Sequence, residues 1–328
     1  MARPASCGRR RAPGSRTLTS SSGTATSRRS GQRHAALGEQ VERAHQDGEP
    51  ALHVGGAEDK TGESVILRTF VRLAGGPRAR LVVLATASEL PETGPRYARL
   101  FGAFGADSVE VLRILTREDA LAVDRLAVDL VEEATGLFLT GGSQLRLSSA
   151  LGGTELATVL RRRHQEGLVV AGTSAGASLM SEHMIALGDS GSTPRRRLVH
   201  LAKGLGLAPD LVIDQHFRRR DRLGRLLTAL SYNPAPLGLG VDEDTAAVIE
   251  PDGTLRVLGS GGVTVVDASG MRYTNSYAVN RGQPLAMLGL RVDFLTDGCR
   301  YDLHARAASA PAAGPAPHLP AEVLELAE

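Results

Sequence analysis

An alternation constrains this chain more than any other feature. Short, mostly apolar runs take turns with longer segments whose apolar residues recur at helical spacing. The runs are Ala51-Leu52-His53-Val54, ending in Gly55-Gly56; Leu81-Val82-Val83-Leu84-Ala85; Val109-Glu110-Val111-Leu112; Leu137-Phe138-Leu139-Thr140, ending in Gly141-Gly142; and Leu168-Val169-Val170-Ala171. Between them, residues 63–73, 97–104, 120–134 and 155–166 carry the helical period. A strand apolar on both faces must be covered on both, and strands separated by helices pair in parallel. The expectation is an α/β three-layer sandwich with a mostly parallel central sheet and right-handed crossovers.

From residue 238 the pattern changes. Residues 238–241, 246–250, 255–258 and 262–266 are short runs split by turn signals such as Pro251-Asp252-Gly253. They predict a β-rich C-terminal extension, with hairpins, on the same sheet. No linker composition interrupts the body. One domain is therefore expected over 49–307, followed by a loose Pro/Ala-rich tail over 308–328.

The net charge of +2 hides an asymmetry. The first 38 residues hold eight Arg and no Asp or Glu, and setting those eight aside leaves −6 on the rest. An acidic body has the wrong sign for a nucleic-acid partner. Trp is absent and aromatics are only 3%, which also argues against base stacking. Residues 1–48, rich in Ser, Thr, Gly and Arg, read as a disordered basic leader. Their composition is that of an organelle transit peptide without its apolar face, and they lack the apolar stretch of a secretory signal. No run of 18 apolar residues exists, so no membrane span is expected. Cys7 and Cys299 are too few for a disulfide framework or a metal cluster, and they fit a reducing cytoplasm.

The chemistry-bearing segment is G-L-V-V-A-G-T-S-A-G-A-S-L-M at 167–180. An apolar strand runs into Gly172-Thr173-Ser174-Ala175-Gly176, and a helix begins near Ala175. A serine on such a sharp turn projects its oxygen clear of the strand end, while small neighbours let the backbone pass closely. The backbone N–H of Ala175 is placed to stabilise an oxyanion, and ligands gather at the carboxyl ends of parallel strands. Ser174 is thus a candidate nucleophile. Ser178, inside the helix, is a poor competitor. Of the nine histidines, most are expected at the surface. His164 and His183 fall on expected helices, and His34, His45 and His318 lie in the tails. His216 differs, because Leu211-Val212-Ile213 runs into Asp214-Gln215-His216 and places it at another strand end. An orienting acid is also needed. Asp242, Glu243 and Asp244 all follow an apolar strand, and spacing alone does not choose among them.

Four blocks together resemble the cyanophycinases: F-L-T-G-G-S-Q at 138–144, G-T-S-A-G-A-S at 172–178, D-Q-H-F-R-R-R-D-R-L-G-R-L at 214–226 and V-D-E-D-T-A at 241–246, with A-E-D at 57–59 adding to the match. The resemblance covers about 50–305. It implies a fold like the class I glutamine amidotransferases, shared with aspartyl dipeptidases. It implies a catalytic triad of Ser174, His216 and Glu243 and an oxyanion hole formed by Gly142 and Ala175. It also implies a substrate site lined by Gln144, Asp214, Gln215, Arg220, Arg222 and Arg225, with Arg218 and Arg219 left as surface residues. No metal or cofactor is implied. The implied substrate, cyanophycin, is a polyaspartate with arginine on each β-carboxyl. Guanidinium forks suit its free carboxylates, and Asp214 would take a substrate guanidinium. A homodimer is the family expectation. Ser143 departs from the Asp or Asn usual there, which predicts an altered subsite contact. An α-aspartyl dipeptidase, a non-catalytic binding protein of the same fold, and an unrelated esterase remain the alternatives.

Overall fold

The computed structural model describes residues 50–122 and 125–311, so the leader at 1–48 and most of the C-terminal tail lie outside the described residues. The chain begins with β1 (Ala51–Val54), α1 (Val65–Leu73), β2 (Arg80–Leu84), α2 (Thr93–Ala103) and β3 (Ser108–Leu112). Next come α3 (Arg117–Leu121), α4 (Arg125–Glu133), β4 (Gly136–Leu139), α5 (Gln144–Leu151), α6 (Glu155–Gln165), β5 (Val169–Thr173) and α7 (Ala175–Leu179). The second half holds β6 (His183–Gly188), β7 (Val199–Lys203), β8 (Leu211–Gln215), α8 (Leu223–Tyr232), β9 (Leu237–Val241), β10 (Thr245–Ile249), β11 (Thr254–Gly259) and β12 (Gly262–Asp267). Five short strands follow: β13 (Tyr273–Thr274), β14 (Met287–Leu288), β15 (Arg291–Thr296), β16 (Arg300–Asp302) and β17 (Ala307–Ser309).

The main sheet has nine strands in the order β17-β16-β11-β10-β1-β5-β4-β2-β3. From β1 to β3 every pairing is parallel, and β10, β11, β16 and β17 add antiparallel strands at the other side. Alternate residues of the parallel strands feed two cores. Leu52, Val54, Leu81, Val83 and Phe138 pack on one face with Ile66, Phe70 and Phe101. Val82, Leu84, Leu137, Leu139 and Val170 pack on the other with Leu147, Leu156, Leu160 and Leu179. This is the three-layer α/β sandwich that the apolar strands demand.

The C-terminal strands do not all extend that sheet. β10 and β11 do, but β9 and β12 join β8 and β15 in a second, four-stranded sheet of order β15-β12-β9-β8. The reason is coverage. Leu237, Leu239, Val241, Val263 and Val265 of the second sheet pack on Ala247, Ile249, Leu255 and Val257 of the first, in a shared core. The second sheet's other face is closed by Leu226 and Leu230 of α8 against Val212 and Val266. Stacking lets each layer bury what a single widened sheet would leave wet.

Smaller differences have local causes. The helix expected over 120–134 is two helices, and Thr116 starts the first with a capping box closed by Asp119. Helix α5 was not anticipated; Ser143 caps it, its side chain accepting the Arg146 N–H at 3.3 Å. His183 opens a strand rather than sitting on a helix. Strand β17 runs to Ser309, two residues into the stretch expected to be loose. His53 is buried in its strand, and His164 is buried as well. Burial holds the His53 imidazole down to about 3, so it stays neutral between Gly172 and Ala247 of its neighbouring strands.

Candidate active site

Ser174 stands one residue beyond β5, and α7 begins at the next residue. Its backbone, at φ 51° and ψ −114°, is one that L-residues rarely adopt. Such strain persists only where the surroundings impose it. Here the Ser174 N–H donates to the Val54 carbonyl at 2.9 Å, which ties the turn to β1. The Ser174 carbonyl accepts the Ser178 N–H at 3.2 Å, which starts the helix.

His216 stands one residue beyond β8 and also has a positive φ, 49°. Its N–H donates to the Gly55 carbonyl at 2.8 Å. Its imidazole lies against Gly56, where a Cβ would come within 2.4 Å of the ring. The ring bridges two partners. Nδ1 is 2.8 Å from Glu243 Oε1, and Nε2 is 2.9 Å from Ser174 Oγ. An ionised carboxylate only accepts, so Nδ1 carries the proton and Nε2 is free to accept from the serine hydroxyl. Burial lowers the His216 pKa below its ordinary value. The Glu243 hydrogen bond and charge oppose that shift, and Arg220 and Arg222 reinforce it. At neutral pH the imidazole is therefore uncharged and able to take a proton.

Glu243 lies two residues past β9 in the turn that carries the chain from the second sheet to the first. Its second oxygen, Oε2, is 3.3 Å from Arg219 Nε. The neighbouring Asp242 accepts from the backbone and guanidinium of Arg218. Arg218 and Arg219 are exposed, as expected, but they anchor the acid loop. A sequence signal for this exists: two arginines after β8 face two acids after β9, and the two strands run parallel.

Gly142 has φ 143°, and a Cβ there would meet the Ala87 carbonyl oxygen at 2.1 Å. No other residue fits the position. Gly141, just before it, abuts the Ser174 side chain. Among the described residues neither the Gly142 nor the Ala175 N–H donates to a protein acceptor. Gln144 begins α5 and its amide donates to the Ile185 carbonyl at 2.9 Å. Ser143 serves as a helix cap, a task Asp or Asn would do as well.

The arginine block divides. Arg225 grips Asp214 with two parallel bonds, Nε to Oδ2 at 2.6 Å and Nη2 to Oδ1 at 2.7 Å. Arg222 donates to Gln215, at 2.6 Å to its carbonyl and also to its side-chain oxygen, and lies 3.4 Å from Asp214 Oδ1. Asp214 is 0% exposed and Arg225 4%. Asp214 is thus committed to the protein's own arginines. Asp214 and Arg225 are both buried in this pairing, where the sequence led to the expectation of a substrate-lining role. Burial lowers the Arg222 pKa to about 10, so it still carries its charge at neutral pH. Arg220 differs, because it is exposed, close enough to His216 to influence its charge, and without a carboxylate partner among the described residues.

Residues 51–257 match the model of peptidase family S51. The chain belongs to peptidase family S51. That makes it a serine-type peptidase and agrees with the resemblance read from the four sequence blocks. It is 46% identical over 257 residues to a cyanophycinase of Trichormus variabilis and to one of Nostoc sp., covering 78% of this chain and 86% of each relative. A cyanophycinase of Geminocystis herdmanii is 44% identical over 253 residues, covering 76% of this chain and 92% of the relative. Among solved structures, a peptidase from an acI-B1 Actinobacterium shares the fold at a TM-score of 0.58 and 21% identity, over 79% of this chain and 98% of that one.

Proposed function

We propose that this S51 peptidase is a cyanophycinase, a serine exopeptidase that releases β-Asp-Arg dipeptides from cyanophycin. The observation that carries the reading is the unbroken hydrogen-bond relay from Ser174 through His216 to Glu243, in a chain nearly half identical to enzymes of that name. In the proposed mechanism, His216 Nε2 takes the Ser174 proton as Oγ attacks the backbone carbonyl of an aspartate residue. Glu243 holds the imidazole in the tautomer this requires and stabilises the imidazolium. The N–H groups of Gly142 and Ala175 stabilise the oxyanion. His216 then protonates the leaving amine, and water releases the acyl-enzyme with His216 acting again as base.

Substrate recognition falls to fewer arginines than the sequence suggests. Arg220 is the exposed guanidinium beside the base, placed to receive a free carboxylate. Arg222 and Arg225, with Asp214 and Gln215, form the floor that holds His216 and Arg220 in place. The reading extends to a homodimer working in the cytoplasm, without nucleic-acid or membrane partners. The acidic body disfavours a phosphate backbone, and no helix among the described residues is long and apolar enough to cross a membrane.

Insoluble cyanophycin and Asp-X dipeptides, incubated separately with the protein, test the substrate. Soluble β-Asp-Arg with intact dipeptides is expected. Cleavage of dipeptides with untouched polymer would make the chain an aspartyl dipeptidase instead.

The acid limb of the kcat/KM profile follows from the His216 environment. The depressed pKa keeps the base neutral at lower pH, so the limb has its midpoint below 6.5. Arg220→Gln removes a cation that disfavours the imidazolium. The midpoint then moves to higher pH, together with a rise in KM. An unmoved limb would remove Arg220 from the neighbourhood assigned to it.

A further inference from the structure

Beside the triad lies a buried carboxylate that the mechanism above does not use. Glu58 follows β1 in the loop that also carries Gly55 and Gly56, and it is 3% exposed. It has three donors. Thr173 Oγ1 is 2.6 Å from Oε2, Lys60 Nζ is 2.9 Å from Oε1, and the Tyr97 hydroxyl also donates to Oε1. A charge this deep is costly unless paired and bonded, so the network is a built feature and not a chance contact. Its position gives it a consequence. Thr173 is the residue before the nucleophile, whose φ is 51°. The same loop also meets His216 and Asp244, the residue after Glu243. Gly55 accepts the His216 N–H at 2.8 Å, Gly56 accepts the Asp244 N–H at 2.9 Å, and the Asp59 N–H donates to Asp244 Oδ1 at 2.9 Å.

We propose that Glu58 is a positioning residue for the nucleophile: through Thr173 it fixes the strained turn that aims Ser174 Oγ at His216 Nε2. The inference rests on Ser174 being the nucleophile. A hydrogen bond to a charged acceptor is stronger than a neutral one. It acts on the residue before Ser174, so it constrains the turn through Thr173. Losing such a constraint lowers turnover rather than binding.

The test pairs Thr173→Val with Thr173→Ser. Valine keeps the branched shape and loses the donor, whereas serine keeps the donor. Thr173→Val is expected to lower kcat about tenfold with KM unchanged, and to slow phosphonylation of Ser174 by a fluorophosphonate in parallel. Thr173→Ser is expected to restore both rates. Glu58→Gln, which keeps the shape but not the charge, is the second variant and should show the same kcat loss. Wild-type kcat and labelling in Thr173→Val or Glu58→Gln would overturn the proposal. So would a loss that serine does not restore. Ser174→Ala, run alongside, separates the two levels: if it still hydrolysed substrate and took the label, the nucleophile assignment itself would fall.

Discussion

Ser174→Ala is expected to lower kcat on cyanophycin by at least about a thousandfold while leaving the protein folded. In the proposed mechanism the hydroxyl is the atom that forms the acyl bond, and among the described residues no other hydroxyl is hydrogen-bonded to the His216 ring. Ser178, the nearest competitor in sequence, is fully buried and donates to the Ile213 carbonyl at 3.0 Å. The residual rate would come from the Gly142 and Ala175 N–H groups acting on a water-borne attack. Alanine fits the turn no worse than serine, since the strained backbone is held by the Val54 and Ser178 bonds and not by the hydroxyl. Single-turnover release of β-Asp-Arg measures the effect, with the thermal midpoint as control. A variant within tenfold of the parent, equally stable, would move the nucleophile elsewhere.

Arg225→Ala carries the largest expected effect on stability, a loss of about 3–5 kcal/mol. Truncation removes two bonds to a carboxylate that is 0% exposed, leaving Asp214 with Arg222 at 3.4 Å as its nearest cation. The stranded charge, more than the lost attraction, sets the size of the effect. Pairing it with Asp214→Asn should recover much of the loss, because the charge that needed a partner is then gone. Denaturant midpoints of the two single variants and the double variant make the cycle. Equal stability of Arg225→Ala and the parent would mean that Asp214 reaches solvent or substrate after all.

The parallel half of the fold was legible because its signal is local. Leu81-Val82-Val83-Leu84 has no polar face, so it has to sit inside a covered sheet wherever the rest of the chain goes. The second sheet was not legible for the opposite reason. Residues 237–241 and 245–249 look alike as apolar runs, and only the turn at 242–244 sends them into different layers. The strand-to-helix turn at Ser174 could be read from glycine spacing together with the apolar run before it. Glu243 could not be separated from Asp242 and Asp244 by spacing, because three consecutive acids differ only in where the turn points them. The arginine block misled more deeply. Charge suggested solvent and substrate, yet Arg225 and Arg222 turn inward, since Asp214 at the end of a buried strand must be neutralised. Glu58 was visible only as part of a family block, because its three donors come from residues 60, 97 and 173.

The division of the proposed triad between two sheets bears on how the protein is made. Ser174 belongs to the first sheet, and its base arrives 42 residues later on a strand of the second. The acid follows 27 residues after the base. A chain emerging from the ribosome N-terminus first therefore exposes the serine long before anything nearby can deprotonate it. Until the two sheets stack, that hydroxyl is as inert as any other serine. The order of the strands itself imposes that delay during synthesis.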